Sequence, residues 1–151
     1  MNFIMCALFI LATLSCGFGQ RSNNFTQLRM FIMTSGIKEG ISFHVYEKVK
    51  DKIVKDYGNH TLGINEEFDW KFWIGIGEYV RGDFWLADKK NATISVFNFD
   101  VWKHCYNGNL FKTQHCYWKV HPDGFYLSKH NNTFPEGWVF KHPWACLVEG
   151  I

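Results

Sequence analysis

Proline is scarce, three in 151 residues, which excludes a polyproline linker or a Pro-rich tail. Net charge is nearly absent too. The formal value is +2 and no block of Lys or Arg stands alone, so the electrostatic footprint of a nucleic-acid-binding domain is missing. Beyond residue 12 there is no long apolar run, so no later segment is expected to insert in a membrane. G-x-S-x-G, C-x2-C and H-x3-H are lacking, as are internal repeats and low-complexity tracts. Without them neither a hydrolase nucleophile elbow nor a zinc site has a sequence signal.

Aromatics are abundant, 19% of the chain. With so little proline, that composition belongs to a packed globule and not to a disordered tail. Residues 3–12 form an unbroken apolar run that relaxes through Thr13, Ser15 and Cys16 to Gly17 and Gly19. The run is too short to span about 30 Å of hydrocarbon and has the form of a secretory signal peptide. Residues 1–19 are therefore expected to be removed, with residues 20–151 as one exported domain. No cofactor is expected.

Two of the five cysteines, Cys6 and Cys16, would leave with the signal. Of the remaining three, Cys105 and Cys116 enclose a short loop of polar and turn-forming residues. A bond between them would contribute roughly 3 kcal/mol by chain-entropy reasoning, and it is the expected pairing. Cys146 would then be free in a monomer or would link two chains into a dimer. Four N-x-S/T sequons, at Asn24, Asn59, Asn91 and Asn131, none with proline in the middle, are candidate glycosylation sites in an exported chain.

Period-2 alternation dominates. It covers residues 41–46, 68–74 and 97–102, with further strand candidates at 28–33, 82–87, 115–120, 125–127 and 138–140. Turn signals separate them at Ser35-Gly36, Tyr57-Gly58-Asn59, Arg81-Gly82-Asp83, Asn107-Gly108-Asn109, Pro122-Asp123-Gly124 and Pro135-Glu136-Gly137. The expected fold is all-β, a small antiparallel β-sandwich of about seven or eight strands. Residues 47–56, EKVKDKIVKD, break the pattern with seven charges in ten positions. They read as a solvated loop, or as a short helix with Val49 and Ile53 on one face.

Several residues invite chemistry. His104, His115 and His121 lie near Cys105 and Cys116, but zinc-ligand spacing is absent and a disulfide accounts better for the cysteines. Asp100, His104 and Cys116 form no recognisable triad. Lys103-His104-Cys105 bears a faint likeness to the Lys-His-Gly-x-x-Cys segment of secreted acid ribonucleases. Those enzymes need a second histidine in an upstream His-Gly-Leu-Trp-Pro segment, and this chain has none. Trp70 keeps step with Phe68 and Phe72 and is expected in the core. Trp73, Trp85 and Trp102 fall on the opposite face, where they would form a patch or pack on a second sheet.

Other positions carry a family resemblance. Cys116, Trp118, Asp123, Gly124, Phe125 and Tyr126 match the carboxy-terminal signature of the plant self-incompatibility S1 proteins. Phe99, Asp100, Val101 and Cys105 match that family's Phe-Asp-Val before a cysteine, Trp70-Lys71-Phe72 its W-x-F strand, and Phe84-Trp85-Leu86 its Phe-Trp-Cys strand. The likeness runs from about Leu28 to Trp144. Two family cysteines are replaced, by Val45 and Leu86. The resemblance implies that those two normally pair, so that Val45 and Leu86 would touch across the core.

What the resemblance implies is a secreted, non-enzymatic ligand recognised by a cell-surface receptor in cell-cell signalling, pollen rejection being the family's best-known role. The candidate receptor contacts are polar loops: residues 47–56 with Lys50, Asp51 and Lys52, residues 107–112 with Asn109, and the turn at Asp123. The alternative reading is a secreted carbohydrate-binding or defence protein that uses surface tryptophans. In either reading no nucleic acid and no direct membrane insertion are involved.

Overall fold

Ten strands and one short helix make up the computed structural model, which describes residues 26–75 and 79–147. The candidate signal segment and Asn24 lie outside the described residues. In chain order the strands are β1 (Gln27–Thr34), β2 (Ile41–Val49), β3 (Lys52–Leu62), β4 (Glu67–Trp73), β5 (Tyr79–Leu86) and β6 (Lys90–Phe97). Helix α1 (Phe99–Cys105) follows, then β7 (Gln114–His121), β8 (Gly124–Ser128), β9 (Val139–Pro143) and β10 (Ala145–Cys146).

Two five-stranded sheets, ordered β4-β1-β7-β8-β9 and β10-β6-β5-β2-β3, enclose the core. Every pairing is antiparallel except β1 with β7, which is parallel. The all-β expectation holds; the strand count exceeds it because β3, β6 and the two-residue β10 fall outside the strand candidates of the sequence. Alternation does the building, since residues of one parity along each strand face the other sheet. Leu28, Met30 and Ile32 of β1 and Ile41, Phe43 and Val45 of β2 are all fully buried. A buried bond ties the layers in the core: the Trp118 indole N–H donates to the Val96 carbonyl at 2.9 Å.

Four local expectations are corrected. Residues 97–102 do not continue as a strand. The Asn98 carboxamide accepts the Val101 N–H at 2.9 Å and caps α1, so burial switches to Val101 and Cys105, four apart, and Phe99 is left exposed.

Residues 47–56 are neither loop nor helix but the far half of the β2–β3 hairpin. Lys50 and Asp51 take φ of 47° and 65°, the two-residue turn whose twist matches that of the strands. Buried Glu47 accepts the Tyr57 hydroxyl at 2.9 Å, which holds the charged strands in register.

Gly58 and Gly82 sit inside strands, not at turns. Gly58, at φ 86°, lies where the β2–β3 register shifts, between Val45 and Tyr46. Gly82 is buried beneath Phe84 and Val96, with no room for a Cβ. Finally, Val45 stands opposite Gly82 while Leu86 stands opposite Ile41, so Val45 and Leu86 are four residues out of register and do not meet.

Candidate functional site

Strand directions sort the candidate loops. Parallel β1 and β7 end together, and that end of their sheet is tied to the other sheet by Lys90 Nζ donating to the Pro122 carbonyl at 3.2 Å and by Trp144 Nε1 donating to the His121 carbonyl at 2.9 Å. Asp123 belongs to this end. Residues 107–112 precede β7, and the Lys50-Asp51 turn follows β2, so both lie at the opposite end. The structure thus brings Lys50, Asp51, Lys52 and Asn109 to one end and separates Asp123 from them.

At that end the loop of residues 106–113 is braced from beneath. Cys105, closing α1, is bonded to Cys116 on β7, with Cα atoms 5.4 Å apart. Between them Gln114 is wholly buried. Its amide N–H groups donate to the carbonyls of Asn109 and Lys112, each at 2.7 Å, and its oxygen accepts the Asn107 N–H at 2.8 Å. Two successive Asx turns add to this: Asn107 Oδ1 accepts from Asn109 N at 2.9 Å, and Asn109 Oδ1 from Phe111 N at 3.0 Å. Thr26, just before β1, donates its hydroxyl to the Leu110 carbonyl at 2.9 Å.

This braced backbone presents apolar side chains to solvent. Phe111 is 93% exposed and Leu110 46%. Trp73, opposite Gln27 at the end of β4, is 52% exposed, and Ile53 and Val54 just past the hairpin turn are exposed as well. The polarity argument singled out Asn109 in this loop, yet its carboxamide is used to hold the backbone. Leu110 and Phe111 were missed. The available signal was an apolar pair stranded among Asn, Gly and Lys, where no sheet face could receive it.

Asp123 has internal partners. Its carboxylate accepts the Tyr126 hydroxyl at 2.6 Å and faces His121 Nδ1 at 2.7 Å. The Tyr126 bond first, then that to His121, holds the carboxyl below the usual aspartate range, and the same contact raises Tyr126. Phe134 stacks on His121 and meets Tyr126 edge-on. These contacts give Asp123 a job in closing the β7–β8 turn.

The remaining candidates scatter. Trp73 and Trp85 lie on the outer faces of different sheets and share no platform, and Trp102 is half-buried against Tyr106. Half-buried His104 has its pKa lowered, by burial first and then by Lys141 and Lys129. His115 is exposed and His121 serves the turn. Among the described residues no group of three or more His, Cys, Asp or Glu is placed to hold a metal ion, and no helix is long and apolar enough to cross a membrane. Cys146 is free and exposed on β10. Of the sequon asparagines, Asn59 on β3 and Asn131 after β8 are exposed, and Asn91 on β6 is half-buried.

No curated protein matches the chain. The sequence model of the plant self-incompatibility protein S1 family matches residues 32–144, from Ile32, near the end of β1, through Trp144. That span includes the disulfide, the braced loop and strands of both sheets; the chain belongs to the plant self-incompatibility protein S1 family.

Proposed function

We propose that the protein is a secreted, non-enzymatic ligand, read by a cell-surface receptor at the end of the sandwich that carries residues 107–112 and the Lys50-Asp51 turn. The observation that carries this reading is Phe111: an aromatic ring 93% exposed on a loop whose backbone is fixed by a disulfide and a wholly buried glutamine. A large apolar side chain held out in water gains little for the fold. In an interface it can fill a pocket as an anchor, and a prefixed loop loses little entropy on docking. Lys50, Asp51 and Lys52 supply a charged rim that would govern approach and specificity more than affinity.

Export rests on residues 1–19 acting as a cleaved signal, with glycans on Asn24, Asn59, Asn91 or Asn131. Mass spectrometry of the protein recovered from plant-cell medium tests this; an uncleaved chain without glycans contradicts it. For the receptor surface, labelled protein is titrated onto responsive cells. Phe111→Ala should weaken binding at least tenfold and Leu110→Ala less, while circular dichroism stays unchanged. Binding that survives Phe111→Ala, Leu110→Ala and alanines at 50–52 together would refute the assignment.

A further inference from the structure

Strand β6 is paired along its whole length on one side, by β5 from Val80↔Phe97 to Leu86↔Lys90. On the other side β10 covers only Lys90 and Asn91. The cause is the route of the chain: β9 runs along the edge of one sheet, and Trp144, bonded through its indole to the His121 carbonyl, anchors the crossing to β10 at one end. From Ala92 to Phe97 no described strand lies against the outer edge of β6. Val96, where the β5–β6 register shifts, gives its carbonyl to the Trp118 indole N–H. The Lys89 carbonyl accepts the Leu147 N–H at 3.1 Å on this side, so by the two-residue period of an antiparallel strand the peptide groups of Thr93 and Ser95 point to the open edge.

A cleft of about 270 Å3 opens along this edge, bordered by Ile94, Ser95 and Asn98 on one wall, Trp118 at its base and Lys141 and His142 of β9 on the other. It is smaller than the ~300–1,000 Å3 typical of small-molecule sites, and its distinctive feature is the uncovered strand edge. Asp100, also at its rim, is already paired with Lys103 at 3.0 Å. Lys141 makes no ion pair among the described residues.

We propose that this cleft takes up an extended acidic segment of a partner protein, added as a strand to the open edge of β6. Its peptide groups pair with Thr93 and Ser95, and every second side chain, a carboxylate, faces Lys141 and His142 across the gap. Bare sheet edges are ordinarily shortened, bulged, charged or covered, and β-strand addition is an established way of using one. The surface is separate from Phe111 and does not depend on the receptor reading.

The test uses a fluorescein-labelled pool of six-residue peptides that alternate Asp or Glu with Val or Thr, titrated with the whole protein and followed by anisotropy. Saturable binding is expected, weaker as salt rises from about 50 to about 200 mM, at least tenfold weaker in Lys141→Glu, unchanged in Phe111→Ala, and accompanied by amide shifts at Thr93 and Ser95. Peptides N-methylated at every second residue should fail to bind. Equal binding of the N-methylated pool, or equal displacement by citrate, would reduce the cleft to an anion site and overturn the proposal. So would absence of saturation at millimolar peptide, or self-association of the protein through β6 that excludes the peptides.

Discussion

Trp118 on one sheet donates its indole N–H to the carbonyl of Val96 on the other at 2.9 Å, and both side chains are buried. One residue therefore fills core volume and satisfies a backbone carbonyl of a strand in the facing layer. Trp118→Phe keeps an aromatic ring but leaves that carbonyl unpaired. Stability to urea should fall by about 1–3 kcal/mol, with the unfolding slope unchanged; a loss within error would mean that water replaces the indole.

Gly82 is tested by addition. A Cβ there would lie 2.5 Å from Phe84 Cε2 and 2.9 Å from Val96 Cγ2, and both neighbours are buried and have no space to retreat. Gly82→Ala should cost about 1–3 kcal/mol through overpacking, measured by chemical denaturation. The same change at Gly108, where a Cβ would meet nothing within 4 Å, should cost less, all of it from its φ of 92°.

Gln114 is the brace of the candidate receptor loop. Gln114→Leu keeps comparable bulk and strips three hydrogen bonds from Asn107, Asn109 and Lys112. Stability should drop by roughly 1–3 kcal/mol. Hydrogen exchange should speed up at the Asn107 and Phe111 amides and stay slow in β1 and β7. Uniform acceleration throughout the sheet would show that the glutamine supports the whole fold and not the loop.

Asp123 should set part of the acid response. Its folded carboxyl titrates below the ordinary aspartate value because of Tyr126 first and His121 as well. Its contribution is therefore complete above about pH 4 and is lost as pH falls through the lowered folded value. The group is exposed, so the effect on global stability is small. A carboxyl NMR titration is the direct reading: Tyr126→Phe should move the Asp123 midpoint upward. An unmoved midpoint would show that the hydroxyl bond is not what lowers it.

Much of the architecture was legible in the chain. Alternation in residues 41–46 and 68–74 predicted half-buried strands, because a period of two needs only one sheet face to become readable. Pro122-Asp123-Gly124 announced its turn because Gly124 must take a φ of 154° with the His142 carbonyl packed where a Cβ would go. The hairpin at residues 47–56 was illegible for the converse reason. Its turn uses Lys50 and Asp51 at positive φ without a glycine, and its strands are charged because both project beyond the core. Residues 97–102 misled because alternation and a capped helix share Phe97 and Val101 as buried positions; Asn98 accepting from Val101 decides between them.

The order of residues alone determined the family, the all-β class and the positions of the cysteines, since each depends on local pattern and spacing. Only the tertiary structure decided which surfaces are available. Asn109 and Asp123, selected for polarity, spend their side chains inside the loop and turn that carry them, because those side chains meet local backbone and side-chain partners. Phe111 faces water, because Gln114 and the disulfide hold the backbone in a course that leaves the ring no core to enter. The open edge of β6 exists because β10 stops after two residues, and that limit comes from how the chain crosses between sheets.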